Sequence, residues 1–170
     1  MVIDYYNLND QTVKNNYLLP LITELIDNIG SKKVFTKIDL RWGFNNMRIK
    51  KGDEWKEVFM IYIGSFEPTV MFFGMTNSLA TFQVIMNKIL RDLINKGKVM
   101  AFVNDMLVGT EIEEEHNEIV EEILRRLEEN DLYVKLEKYV WKVRKIGFLE
   151  VIIGLNGIEI EEEKVDRVLS

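Results

Sequence analysis

From Val99 to Val108 every residue is apolar except the adjacent pair Asn104-Asp105. A stretch of this length and pattern reads as two strands that meet at a polar turn. Any fold for the chain has to bury the apolar residues on either side and still place Asp105 where a carboxylate is tolerable. A charge in a dry strand is costly unless it is paired, hydrogen-bonded or bound to a cation.

The rest of the chain supplies elements to pack around that pair. Pro20 to Ile29 reads as a helix, with proline in its first turn and Gly30 as its stop. Val34 to Leu40 is a second buried strand, apolar and β-branched, that ends on an acid, Asp39. Met47 to Lys50 and Val58 to Tyr62 look like two further strands joined as a hairpin around Lys51-Gly52-Asp53. From Ser78 to Ile94 apolar residues recur at intervals of three and four, an amphipathic helix capped by Thr76 or Asn77. Ile112, His116, Ile119, Val120, Ile123, Leu124 and Leu127 mark a second long helix whose other face is glutamate. Leu132 to Ile160 is again strand-like, broken by Gly147, Gly154 and Gly157. This order is α+β, with helices on one face of a largely antiparallel sheet, and the split βαββαβ, ferredoxin-like arrangement fits it best.

Composition narrows the function classes. With 170 residues, 47% of them hydrophobic, the chain can bury one sizeable core. The absence of cysteine excludes disulfides and thiolate metal sites, and together with the lack of a signal-peptide pattern it makes an intracellular protein the default. No apolar run approaches the roughly 20 residues of a membrane span, so no membrane role is expected. The net charge of −6 argues against nucleic acid only as an average. Residues 1–110 carry 13 Lys/Arg against 11 Asp/Glu, whereas residues 111–170 carry 9 against 17, so the acidity sits in the C-terminal third. That segment reads as a solvated helix face and an acidic tail.

Asp39 and Asp105 both end or interrupt apolar strands. Brought together on adjacent strands they could hold Mg2+, a hard ion bound by one or two carboxylates and by substrate phosphates. Each could equally be a strand-end aspartate capping a turn, and spacing alone leaves both readings open. His116, on the apolar stripe of its helix, reads as a packed core histidine.

Several blocks in register carry a more specific signal. Val2-Ile3-Asp4-Tyr5-Tyr6-Asn7-Leu8-Asn9, Leu19-Pro20-Leu21-Ile22, Phe35-Thr36-Lys37-Ile38-Asp39-Leu40-Arg41-Trp42-Gly43-Phe44, Phe73-Gly74-Met75-Thr76-Asn77-Ser78-Leu79-Ala80-Thr81-Phe82-Gln83 and Glu113-Glu114-Glu115-His116 resemble, in order and spacing, the signature blocks of gypsy-type LTR-retrotransposon reverse transcriptases. The resemblance covers nearly the whole chain and implies a reverse-transcriptase palm with partial fingers. It assigns residues 1–33 and 45–75 to fingers-side elements, 34–44 and 76–160 to the palm, and 161–170 to the start of a thumb connection. The activity it implies is template-directed nucleotidyl transfer by two-metal chemistry with Mg2+ or Mn2+. Its partners would be an RNA or DNA template-primer and a dNTP.

Residue by residue, the resemblance makes Asp39 and Asp105 catalytic metal ligands, together with the Leu40 backbone. Phe44 would lie under the incoming sugar and reject a 2′-hydroxyl, and Phe73-Gly74 would form the surface beneath the nascent base pair. Lys138 is a candidate proton donor to pyrophosphate. The family's Tyr/Phe-x-Asp-Asp hairpin corresponds to Phe102-Val103-Asn104-Asp105, so Asn104 stands at a catalytic aspartate position. Glu150 stands for a glycine of the primer grip, Phe72 and Leu79 for prolines, Tyr6 for an arginine and Val151 for a histidine. Met1 falls just after the family's basic fingers strand. These departures imply a weakened or lost polymerase, and the other function class they admit is a retroelement-derived domain that binds nucleic acid or protein without catalysis, or a decayed copy.

Overall fold

The computed structural model describes residues 3–22, 32–155 and 157–160. In chain order the elements are α1 (Tyr6–Gln11), β1 (Val34–Arg41), β2 (Phe59–Ile61), β3 (Gly64–Phe66), α2 (Ser78–Ile89), α3 (Arg91–Asn95), β4 (Val99–Phe102) and β5 (Asp105–Thr110). Then follow α4 (Glu113–Glu129), β6 (Tyr133–Val134), β7 (Val140–Val143), β8 (Lys145–Phe148), β9 (Val151–Gly154) and β10 (Gly157–Ile160). Most of the helix expected from Pro20 to Ile29, and all of the expected thumb connection, lie outside the described residues.

The run that opened the sequence reading is the β4–β5 hairpin, closed by the two-residue turn Val103-Asn104 with Phe102 opposite Asp105. β5 also pairs antiparallel with β1, and β6 and β7 both pair with the far edge of β1, giving an antiparallel sheet in the order β4-β5-β1-β6 with β7 beside β1. The two faces separate by the period of two. Ile38 and Leu40 of β1 and Met106 and Val108 of β5 join Phe82, Met86 and Leu90 from the α2 region and Val120, Ile123 and Leu127 of α4 in the main core. Phe35, Met100 and Leu107, from the opposite face, pack on Ile146, Phe148 and Ile153 of the small β8-β9-β10 sheet. The α+β palm architecture anticipated from the sequence is therefore present: helices cover one face of an antiparallel sheet.

Two helices follow their apolar stripes. In α4 the buried residues are His116, Val120, Ile123 and Leu127, at the spacing of one helix face. The helix expected from Ser78 to Ile94 instead breaks at Leu90, whose φ of −107° and ψ of 12° separate α2 from α3. Asn77 occupies the N-cap but makes no capping bond; its side chain accepts from the Asn15 N–H and donates to the Val13 carbonyl.

The hairpin expected between Met47–Lys50 and Val58–Tyr62 does not form. Ile49 N–H donates to the Thr69 carbonyl and Met71 N–H to the Met47 carbonyl, so the first segment pairs with residues 69–71. The second becomes β2 and pairs with β3. Between them, the Glu54 carboxylate accepts the Gly52 N–H and Glu54–Glu57 winds into a 3-10 turn, which spends the residues a tight hairpin would have needed. A hairpin turn that the sequence left unresolved joins β8 to β9, where Leu149 and Glu150 have φ of 47° and 71°. Positive φ at both turn positions suits glycine or asparagine, so the glutamate at 150 sits in a strained conformation.

Candidate active site

The strand register decides what the two candidate aspartates can do. Asp39, near the end of β1, lies directly opposite Asp105, the first residue of β5. Opposed side chains on an antiparallel pair have Cβ atoms about 4.5–5.5 Å apart, so both carboxylates reach one small volume. The Leu40 N–H donates to the Asn104 carbonyl (3.0 Å) and the Lys135 N–H to the Asp39 carbonyl (2.8 Å), which fixes the backbone on both sides. Asp39, Asp105, Asn104, Leu40, Phe73 and Lys138 all line one open cleft of about 620 Å3.

The turn beneath the carboxylates is strained and braced. Val103 has a φ of 53°, a left-handed conformation that a β-branched residue rarely adopts. Its N–H donates to Oε1 of Gln83 (2.8 Å), a fully buried residue of α2. The same amide donates through Nε2 to the Ala101 carbonyl and to Oδ1 of Asn87, each at 2.9 Å, and Asn87 donates in turn to the Tyr17 hydroxyl at 2.7 Å. One side chain thus ties the end of β4 and the turn to α2. Beside it, Oδ1 of Asn104 is buried without a hydrogen-bond partner. It fills the space over Gly43, where a Cβ would come within 2.2 Å of it and within 2.9 Å of Phe82 Cζ.

Each carboxylate faces a lysine. Lys138 Nζ donates to Asp39 Oδ2 at 3.0 Å, and Lys37 Nζ lies 3.8 Å from Asp105 Oδ1. Burial pushes the Asp105 carboxyl above its ordinary pKa, with Lys37 and Lys138 pulling it back and Asp39 adding to the rise. The hydrogen bond to Asp39, and then its charge, hold the Lys138 ammonium above its ordinary value. Sequence reasoning missed Lys37, although its position two residues before Asp39 on the same strand face was the signal. It also missed Gln83 and Gly43 as supports of the turn, which no spacing rule exposes.

The aromatic residues are layered. Phe44 is only 2% exposed, with its ring 4.6 Å from Phe73 in an edge-on contact and 5.4 Å from Phe82. Phe73 is 68% exposed and forms the cleft wall itself. Gly74 follows with a φ of 95°, and its carbonyl turns to accept from Asn9 Nδ2 (2.7 Å) while Asn9 Oδ1 accepts the Thr76 N–H (2.7 Å). Of the expected site residues, Phe44 backs the cleft and Gly74 shapes its wall, and neither lines the cavity.

Residues 1–153 match the family model for "Reverse transcriptase (RNA-dependent DNA polymerase)". The chain belongs to the reverse transcriptase family. It is 33% identical over 169 residues to the Transposon Tf2-3 polyprotein of Schizosaccharomyces pombe and 32% identical to the Tf2-7 polyprotein, covering 99% of this chain in each case. The chain spans 13% of the length of those polyproteins. Among solved structures, the fold superposes on the foamy viral protease-reverse transcriptase in complex with double-stranded DNA with a TM-score of 0.91, at 25% identity, covering 100% of this chain and 30% of that one. The same viral enzyme in complex with an RNA/DNA hybrid gives a TM-score of 0.89 at 24% identity, with 99% and 23% covered.

Reverse transcriptases as a family use divalent metals, which hard oxygen donors would have to hold here. Among the described residues no group of three or more His, Cys, Asp or Glu side chains is placed to hold a metal ion. Asp39 and Asp105 remain, two hard oxygen donors of the kind Mg2+ takes alongside substrate phosphates. That set fits a single cation completed by a phosphate-bearing substrate. Asn104 beside them adds no third carboxylate.

Proposed function

We propose that this domain performs template-directed nucleotidyl transfer at the Asp39–Asp105 cleft, with activity strongly depressed by Asn104. The observation that carries the reading is the register that sets Asp39 opposite Asp105 beside a braced two-residue turn. Asp39 and Asp105, with the Leu40 backbone, would hold Mg2+ or Mn2+. When bound, that ion supplies charge to activate a primer hydroxyl and to stabilise departing pyrophosphate. The protein's own part is to position. Gln83 fixes the turn, Phe73 supplies the flat wall for a base pair, and Phe44 behind it limits room near the sugar's 2′ position. Lys138 has an ammonium proton at Nζ to donate toward pyrophosphate. The RNA or DNA template-primer and dNTP are the proposed partners, and the fingers and palm divisions given above are proposed with them.

Asn104 keeps a neutral oxygen but contributes no charge and cannot bridge two cations, and here that oxygen is turned onto Gly43. At ~1.4 kcal/mol per tenfold in rate, losing several kcal/mol of transition-state stabilisation costs orders of magnitude. The test is primer extension on an RNA template with Mg2+ or Mn2+, comparing the unaltered chain with Asn104→Asp and Asp39→Asn. Faint extension that rises at least tenfold in N104D and vanishes in D39N is expected. Robust extension by the unaltered chain would remove the claim of depressed activity, and indifference to D39N would remove the site.

A further inference from the structure

We infer that Lys138 is a built-in competitor for the divalent cation at Asp39, so that metal enters this cleft only by displacing the chain's own ammonium. The inference rests on the metal-site reading above and adds to it. Asp39 is 8% exposed, yet its Oδ2 is met at 3.0 Å by Lys138 Nζ, the position from which a cation would be coordinated. The contact is built by the backbone. Lys135 N–H is anchored to the Asp39 carbonyl, Lys138 N–H closes back onto the Lys135 carbonyl, and the resulting 3-10 turn Leu136–Lys138 hangs the ammonium over the carboxylate.

Charge counting shows why the competition is severe in this chain. Three carboxylates line the cleft, and each already faces a cation: Asp39 faces Lys138, Asp105 faces Lys37, and Glu137 faces Arg41 at 3.7 Å. An aspartate at 104 would add a carboxylate outside these three pairs, able to draw in a cation. Asn104 adds none, so an incoming ion gains no net attraction until a lysine leaves. Lys138 is the one placed to leave. Its side chain is 56% exposed and can take its ammonium to water at little cost, whereas the Lys37 side chain is only 26% exposed. A released Lys138 would then be free at the mouth of the cleft, where a leaving phosphate would need a donor.

The decisive measurement is Mn2+ binding followed by loss of the free-ion electron paramagnetic resonance signal, for the unaltered chain, Lys138→Gln, Asp39→Asn and the double variant. K138Q is expected to bind Mn2+ about tenfold more tightly, and D39N should abolish that gain. Equal or weaker binding by K138Q, with binding still lost in D39N, overturns the competitor role and leaves the metal site standing. No binding by any of the proteins at millimolar Mn2+ overturns the metal-site reading and the competitor role together. A second readout needs no variant. Acetylation of Lys138, followed by mass spectrometry, should speed up severalfold when Mn2+ is added to the unaltered chain, and an unchanged rate counts against displacement.

Discussion

At the scale of single residues, the turn beside the candidate carboxylates is held by steric and hydrogen-bonding constraints. Gly43 has no side chain because Asn104 Oδ1 and the fully buried Phe82 occupy the space a Cβ would take. Gly43→Ala should destabilise the domain by about 1–3 kcal/mol through overpacking. If the Asn104 oxygen is the main obstacle, G43A in an Asn104→Ala background should cost distinctly less, and a double-mutant cycle by urea denaturation measures that coupling. Additive losses would show that Phe82 alone sets the clash. His116 is governed in the same way. Thr110 Oγ1 donates to the Ile112 carbonyl, so it can only accept from His116 Nδ1, and Nε2 is then left to accept from Thr36 Oγ1 at 2.7 Å. The neutral imidazole therefore carries its proton on Nδ1. Burial lowers the His116 pKa, Lys142 adds to this, and Glu113 opposes it. Because the folded value lies below the ordinary 6.5, the unfolded chain binds more protons between the two values. Stability should be independent of this group above pH 6.5 and fall as pH drops below it. His116 is the only histidine, so urea midpoints from pH 8 to 5 should lose that slope in His116→Asn.

At the scale of elements, the turn that leads into Asp105 is held by a helix that no residue pattern singled out for the task. Gln83→Leu should leave the Val103 N–H and the Ala101 carbonyl buried without partners, at a cost of about 1–3 kcal/mol for each group. The stronger claim concerns location. Amide exchange at Val103 should accelerate far more than at Ile123 of α4, and uniform acceleration would mean that Gln83 supports the fold generally. Gln83→Glu keeps an acceptor for Val103 but has no N–H for Ala101 or Asn87, so it should fall between the two. How legible these elements were follows from the physics of each. β1 and the β4–β5 hairpin were readable because burial on both faces makes them near-continuous apolar runs, and α4 because burial of one face forces a period of 3.6 on its apolar residues. The pairing of Met47–Lys50 was not, because short segments of similar apolarity compete as partners and the choice was made by Glu54 and the turn behind it. The short helix α1 was missed for a related reason: it buries no residue, and its neighbour Asp4 accepts the Tyr6 N–H at its start. Asp39 and Asp105 could be named from sequence, but their direct opposition is a matter of register, which no local pattern encodes.

At the scale of the whole molecule, the charge segregation seen in the sequence bears on the proposed nucleic-acid partner. The acidic surplus lies beyond residue 110, much of it in the glutamates of α4, a helix that packs on the sheet face opposite to the one carrying Asp39 and Asp105. The cleft is lined by three cationic side chains, Arg41, Lys135 and Lys138, beside three carboxylates, Asp39, Asp105 and Glu137. Arg41 also lies 3.7 Å from Glu137, and Lys138 is engaged with Asp39, so few positive charges are free to neutralise phosphates. Each neutralised phosphate contributes about −0.9 to the slope of log affinity against log salt on duplex DNA, so three contacts give a slope of roughly −3. An RNA/DNA hybrid should therefore bind weakly, with a slope no steeper than about that value, in gel shifts between 50 and 200 mM salt. Lys135→Gln should reduce the slope by about one, whereas Glu118→Lys on α4 should leave it unchanged because the contact count is the same. A slope near zero would remove the cleft as a nucleic-acid site. A slope steepened by E118K would instead locate the nucleic acid on the helical face, away from the carboxylates.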